Sequence, residues 1–138
     1  MPESATFLDH FNIAISHATA PAFMVGAVAA FLNVIVNRFE RAIDRFRGLR
    51  AASPATPAAI LAAVSRRLVL LNRAILFAAL SGLSTAALLI VLFAGAFLDL
   101  SYHTGIAVIF VLALILLMVS IVELIRDVQL NLKTMQVE

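Results

Sequence analysis

The sequence predicts an all-α membrane protein with three transmembrane helices. Of its 138 residues 63% are hydrophobic, and the mean hydropathy is +1.06, which is more apolar surface than a soluble domain of this length can bury. Three charge-free stretches are each long enough to cross a bilayer. Backbone groups in hydrocarbon must be paired within their own segment, so these stretches are helices and not the shorter, alternating strands of a membrane barrel.

A short amphipathic segment precedes the first charge-free stretch. Within residues 4–16, Leu8, Phe11 and Ile15 share one helical face, and Asp9 lies opposite. This pattern predicts a short helix that lies at the membrane surface, with a disordered or extended tail as the alternative. No basic residue precedes the first apolar run, so we expect no cleaved signal peptide.

The three predicted spans cover residues 18–37, 74–98 and 105–123. The first contains 19 consecutive uncharged residues starting at Ala18, the second contains 25, and the third contains 18 before Glu123. At about 1.5 Å per residue, even the shortest run covers about 27 Å, close to the hydrocarbon thickness of about 30 Å. Each stretch therefore crosses the membrane once.

Basic residues are concentrated between the first and second spans. Eight of the ten Lys and Arg residues lie in residues 38–73, and the other two, Arg126 and Lys133, follow the third span. None precedes the first span or lies in the turn at residues 99–104. The positive-inside rule therefore predicts a bacterial inner-membrane protein with an outer N-terminus, a basic cytoplasmic hairpin and a cytoplasmic tail at residues 124–138.

All three helices are expected to extend beyond the membrane on this side. An apolar stripe continues along the first helix to about Gly48. Thr56 followed by Pro57 predicts the cap and first residue of the second helix, which then runs to about Leu98. The third helix continues to about Lys133. We therefore expect a cytoplasmic helical hairpin packed against the tail of the third helix.

Small residues recur every four positions in two of the spans. Such ridges let helix backbones approach closely in lipid, where burial of apolar surface no longer drives association. Packing within one chain is one interpretation, but two long ridges on three helices leave surface for a second subunit and favour a homo-oligomer. The predicted helix-packing residues are Ala22, Gly26 and Ala30 in the first span and Ala74, Ala78, Gly82 and Ala86 in the second.

Polar side chains gather where the spans meet the predicted cytoplasm. We expect Glu123 and Arg73, at similar depth, to form an ion pair between helices, with asparagines satisfying the remaining donors and acceptors. A conducting or proton-handling role for Glu123 is the alternative. If the protein has an axial hole, Asn33, Asn37 or Glu123 should line its cytoplasmic mouth. The predicted polar boundary cluster is Asn33, Asn37, Asn72, Arg73, Glu123 and Arg126.

Few residues could carry out chemistry. Cysteine is absent, which removes thiolate nucleophiles and iron–sulfur clusters, and the serines around Gly82 have no histidine at their depth. Anionic lipid headgroups account for the basic hairpin without nucleic acid. We therefore expect no enzyme, no cofactor and no metal ion. Six polar residues predicted on the outer side lack the spacing of a metal site: Asp9, His10, His17, Asp99, Tyr102 and His103.

Three motifs at the ends of the spans resemble those of a known family. The motif NRFERAIDRFRGL follows the first span, RRLVLLNRAIL enters the second and VELIRDVQLNLKTM leaves the third. With the layout of the spans, over about residues 13–135, they resemble the bacterial membrane-protein family called domain of unknown function 2721. The resemblance implies the three-helix architecture and is silent on activity.

The leading functional hypothesis is a small homo-oligomeric membrane assembly, channel-like if the subunits surround an axial pore. The alternative is an accessory or assembly subunit that docks on a larger membrane complex. The first hypothesis predicts a defined multimer in mild detergent, and the second predicts one dominant foreign partner.

Overall fold

The structure, a computed structural model, describes residues 2–52, 57–98 and 103–135 and consists there of three helices. They are α1 (Pro2–Ala52), α2 (Ala58–Leu98) and α3 (His103–Met135). Their 51, 41 and 33 residues correspond to lengths of about 76, 62 and 50 Å. Each helix is long and apolar enough to cross a membrane, which confirms the predicted all-α, multi-pass membrane fold.

Helix α2 lies between the other two. It packs along both α1 and α3, whereas α1 and α3 approach each other at few positions. Large side chains bridge that wider gap: Phe110 and Leu117 of α3 pack against Met24 and Val28 of α1. Because α2 has neighbours on two sides, more of the buried residues lie on α2 than on either other helix, and the outer faces of α1 and α3 are exposed.

The buried positions repeat every seven residues. On α2 the positions Leu71, Ala78 and Leu92 follow this spacing, and on α1 so do Val28 and Ile35. A seven-residue repeat is slightly shorter than two turns of a straight helix, so helices that pack through it cross at a shallow angle with a left-handed twist. Small and medium side chains at these positions allow long, close contact between the helices.

The predicted separate surface helix at residues 4–16 is wrong. Helix α1 is continuous from Pro2 and passes through Pro21, which lacks a backbone N–H but fits within the helix. Ala14 and Ala18 are buried and pack with Leu88 and Leu92 of α2, so the N-terminal part of α1 belongs to the bundle. Leu8, on the apolar face of that predicted helix, is exposed on α1.

The end of the bundle where α1 ends and α2 begins is called the arginine-rich end. Helix α1 ends at Ala52, four residues beyond the predicted Gly48. The expected cap, Thr56, lies outside the described residues. The Pro57 carbonyl accepts hydrogen bonds from Ile60 N and Leu61 N, at 3.0 and 3.4 Å. Pro57 therefore precedes the first helical residue and does not occupy that position.

Candidate functional site

Side-chain hydrogen bonds join α2 to α3, and three of those in the described part of the chain form a regular series. On each helix the bonding positions are seven residues apart, so all three bonds lie along one line of contact. The hydroxyl bonds satisfy buried donors and hold the helices close. The bonds are Ser81 Oγ to the Ala113 carbonyl at 2.8 Å, Ser120 Oγ to the Ala74 carbonyl at 2.6 Å, and Arg67 Nε to Asp127 Oδ1 at 3.0 Å.

The bond nearest the arginine-rich end belongs to a charged group that we call the Arg67 cluster, made of Arg67, Asp127 and Asn131. Arg67 donates from Nε to Asp127 and from Nη1 to Asn131 Oδ1 at 2.9 Å. The Asp127 side chain is fully buried, and that of Arg67 is 17% exposed. Arg67 and Asp127 neutralise each other in these surroundings, because either side chain alone would be a buried, uncompensated ion.

The predicted ion pair between Glu123 and Arg73 is wrong. Glu123 Oε1 lies 3.6 Å from Arg126 Nη1, one turn further along the same helix. The bond from Ser120 to the Ala74 carbonyl sets the register of α2 against α3, and three residues further along each helix this register places buried Leu71 opposite Glu123. Arg73 is exposed and lines a cavity with Arg126, without an ion pair to Glu123.

Two buried carboxylate oxygens lie at this end of the α2–α3 interface. Neither Oε2 of Glu123 nor Oδ2 of Asp127 has a hydrogen-bond partner among the described residues. The two side chains are four residues apart on α3, and both are buried. The interface thus combines a satisfied ion pair with acceptor capacity that the helices themselves leave unused.

The predicted polar boundary cluster divides into separate groups. Asn33 and Asn37 lie on the exposed surface of α1, where Asn37 Nδ2 donates to Asn33 Oδ1 at 3.3 Å. Glu123 is buried on α3, and Asn72 is exposed on α2. The asparagine pair and Glu123 therefore do not share a surface within one chain, although the sequence places them at similar depth.

The two predicted small-residue ridges have different surroundings. On α2, Ala74 and Ala78 are fully buried, and a Cβ added to Gly82 would lie 3.2 Å from Val28 Cγ1 of α1. Ala86, the last residue of this ridge, is half-buried. The α2 ridge is therefore used within the chain.

The small-residue ridge on α1 lies on the side of the helix that faces away from α2. Ala22, Gly26 and Ala30 are all exposed, and a Cβ added to Gly26 would meet no atom of the described residues within 4 Å. Asn33 and Asn37 continue the same helical face. We call these five residues the α1 outer face.

A cavity of about 420 Å³ opens beside the Arg67 cluster, between α2 and α3. Three arginines and one glutamine supply its polar lining, and no carboxylate takes part in it. Leucine and valine side chains supply the rest. The lining includes Arg66, Arg73, Arg126 and Gln129.

The outer polar residues form no metal site in the part of the chain that is described. No group of three or more histidine or acidic side chains there is placed to hold a metal ion. Asp99 and Tyr102 lie outside the described residues.

The geometry, three long apolar helices with polar residues at their ends, agrees with the family resemblance of the motifs. Residues 18–137 match the family described as a protein of unknown function (DUF2721). The chain belongs to the DUF2721 family. No curated protein matches this DUF2721 chain, and no solved structure matches it. The family assignment therefore agrees with the fold and leaves the function to be inferred from the site.

Several important polar residues of this DUF2721 protein were not predicted from the sequence. The Arg67 cluster and the bond from Ser81 to α3 were not singled out from the sequence. Thr85 donates within its own helix, to the Ser81 carbonyl at 2.8 Å. The signal that was available is a spacing in multiples of seven: Arg67 and Ser81 are fourteen residues apart on α2, and Ser120 and Asp127 are seven apart on α3.

Proposed function

We propose that this DUF2721 protein is a structural membrane protein whose subunits associate with one another through the α1 outer face. The observation that carries the proposal is the exposure of a small-residue ridge that ends in two asparagines, on the side of α1 away from α2. We assign no catalytic step to the chain. In channel-like form, the asparagines would line the end of an axial pore.

The small residues support close approach of a second helix. Gly26 has no side chain, and its alanine neighbours one turn before and after add little bulk, so another backbone can lie against this part of α1. Within the chain, the equivalent ridge on α2 already packs in this manner against α1. The same packing chemistry is thus repeated on a face that the described residues of the chain leave uncovered.

The asparagines supply a second reason for association. Asn33 lies inside a charge-free span, and its one hydrogen bond within the described residues is to Asn37 on the same helix. A carboxamide can make several hydrogen bonds, and leaving them unmade in hydrocarbon is unfavourable. Asparagines of a second subunit would provide the missing donors and acceptors, which is how polar groups hold membrane helices together.

We further propose that the protein lies in the inner membrane of a bacterium, with the N-terminus outside and the arginine-rich end in the cytoplasm. The uneven distribution of basic residues supports this orientation. The arginines would then lie against the anionic cytoplasmic leaflet, which attracts them. Nucleic acid is not required to explain the charge.

The test of self-association compares Gly26→Leu with Ala27→Leu. Both residues are exposed on the same span, but one residue step rotates the side chain by about 100° around the helix, away from the ridge. We expect wild-type protein in mild detergent to form one defined multimer by native mass spectrometry. Gly26→Leu should dissociate it to monomers, and Ala27→Leu should leave it intact.

A second pair of variants addresses the asparagines and the pore. Asn33→Leu with Asn37→Leu should weaken the multimer and, if subunits enclose a pore, change the conductance of planar bilayers containing the protein. A monomeric wild-type protein would contradict self-association.

The alternative function is tested by cross-linking in cells. If the wild-type protein were monomeric and cross-linking recovered one foreign protein through the α1 outer face, the chain would instead be an accessory subunit of a larger complex.

A further inference from the structure

We propose that the cavity between α2 and α3 binds the phosphate group of an anionic phospholipid. For brevity it is called the arginine cavity, and its polar lining includes Arg66, Arg73 and Arg126. A lipid at this position would touch two helices at once. The inference concerns a surface distinct from the α1 outer face and does not depend on self-association.

The cavity carries positive charge from its three arginines. Arg66 and Arg73 are exposed and form no ion pair within the described part of the chain. Arg126 is 61% exposed at its side chain, and its contact with Glu123, at 3.6 Å, is long for a charge-assisted hydrogen bond. Guanidinium groups that are not already neutralised are the groups that proteins use to bind phosphate.

Two consecutive arginines of α2, Arg66 and Arg67, have different surroundings. Arg67 follows Arg66 directly but points into the α2–α3 interface, where Asp127 neutralises it. A helix turns by about 100° per residue, so Arg66 faces the cavity instead. One arginine of this pair thus holds the helices together, and the other is available to a ligand.

The depth of the cavity in the bilayer also favours a phospholipid. Arg73 is the last charged residue before the charge-free stretch at residues 74–98, and Arg66 lies two turns, about 10 Å, further toward the arginine-rich end. The hydrogen bond from Ser120 to the Ala74 carbonyl puts the end of the charge-free part of α3 at the same level. The cavity therefore lies where the phosphates of a bilayer leaflet lie.

The apolar part of the cavity lining favours a lipid over a free anion. Besides its polar groups, the cavity is lined by Val69, Leu70 and Leu130. Val69 is 57% exposed, and an acyl chain or glycerol group can cover such a surface. Inorganic phosphate has no apolar part to do so. Basic pockets between membrane helices are characteristic sites for anionic headgroups.

The experiment measures lipid bound to the full-length protein in mild detergent by native mass spectrometry. Phosphatidylglycerol and phosphatidylcholine are added in parallel, and inorganic phosphate is added as a competitor. We expect one phosphatidylglycerol per chain and much weaker retention of phosphatidylcholine. Arg66→Gln with Arg73→Gln should weaken phosphatidylglycerol binding about 30-fold, which corresponds to about 1 kcal/mol for each arginine near the membrane surface.

The matched control removes the same charge elsewhere. Arg41→Gln with Arg47→Gln lies on exposed α1 positions and should change binding less than about threefold, because separated surface charges are screened by salt. Equal weakening in the two double variants would overturn the proposal, because the cause would be general attraction to the basic end. Displacement of the lipid by inorganic phosphate would identify a free-anion site instead.

A second pair of variants leaves every arginine in place. Val69→Glu puts a carboxylate among the guanidinium groups and should abolish retention of phosphatidylglycerol, whereas Val69→Gln, of similar size and without charge, should retain it. Val69 is exposed, so either side chain fits without disturbing the packing between the helices. Helix content by circular dichroism verifies folding. Equal binding by both Val69 variants would contradict the proposal even if the arginine variants fail to fold.

Discussion

Arg67 Nε donates a 3.0 Å hydrogen bond to Asp127 Oδ1 across the α2–α3 interface, at a point where the aspartate side chain is fully buried. This ion pair is in register with two hydroxyl bonds, at Ser120 and Ser81, one and two heptads further into the bundle. The charged pair and the neutral bonds together determine how α2 and α3 align along their length. The first prediction below follows from that arrangement.

Removing the arginine of this pair should destabilise the protein strongly. Arg67→Met leaves Asp127 buried without its counter-ion, and such a loss lowers the free energy of unfolding by about 3–5 kcal/mol. Arg66→Met, one residue away on the cavity side, should have little effect. The double variant Arg67→Met with Asp127→Leu should recover most of the stability, because neither member of the ion pair is left as an uncompensated charge. Unfolding in mixed detergent micelles measures all four proteins.

If Arg67→Met and Arg66→Met were equally stable, the ion pair would be unimportant for the fold. If the double variant were no more stable than Arg67→Met alone, the loss would come from packing of the arginine stem and not from the unpaired aspartate.

The two inter-helix hydroxyl bonds should contribute modestly and about equally. Ser81→Ala and Ser120→Ala each remove one bond to a carbonyl of the neighbouring helix, and such bonds in membrane proteins average about 0.6 kcal/mol. Thr85→Val serves as the control, because the hydroxyl of Thr85 bonds to its own helix. The same unfolding assay should rank both serine variants below the threonine variant, and the reverse order would contradict this assignment.

Gly82 and Gly26 should respond differently to enlargement. An added Cβ at Gly82 would lie 3.2 Å from Val28 Cγ1, so Gly82→Leu should push α1 from α2 and lower stability by about 1–3 kcal/mol. Val28→Ala should restore part of the loss by making room. Gly26→Leu should leave the stability of the single chain unchanged. Thermal unfolding of each variant, compared with its oligomeric state, separates the two effects.

For these glycines, a Gly82→Leu protein as stable as the wild type would show that the α1–α2 contact is looser than the structure indicates. Dissociation of a multimer by Gly82→Leu without loss of stability would mean that the α2 ridge also faces a second subunit.

The orientation can be tested with single cysteines, because the chain has no cysteine of its own. Asp44 and Thr104 are exposed near opposite ends of the bundle. If the arginine-rich end lies in the cytoplasm as proposed, a membrane-impermeant maleimide should label Thr104→Cys in intact cells but should label Asp44→Cys only after permeabilisation. A reporter that is active only in the cytoplasm should likewise be active when it is fused after Arg50. The opposite labelling pattern would reverse the proposed orientation.

The sequence by itself determined that three helices are long and apolar enough to cross a membrane. Lipid requires long charge-free helices, so this information is contained in runs of residues such as 74–98, and α2 does end at Leu98 as predicted. The concentration of arginines at one end is equally a property of the sequence. Neither inference requires knowing which side of a helix faces its neighbour.

Only the tertiary structure decided which polar residues meet. Glu123 was expected to pair with Arg73, but Glu123 lies beside Arg126 of its own helix, and Arg73 lines the cavity. Similarly, two equivalent small-residue ridges acquired different surroundings, one buried and one exposed. The reason is physical: pairing depends on the relative rotation and axial offset of two helices, and these are set by packing along their whole length.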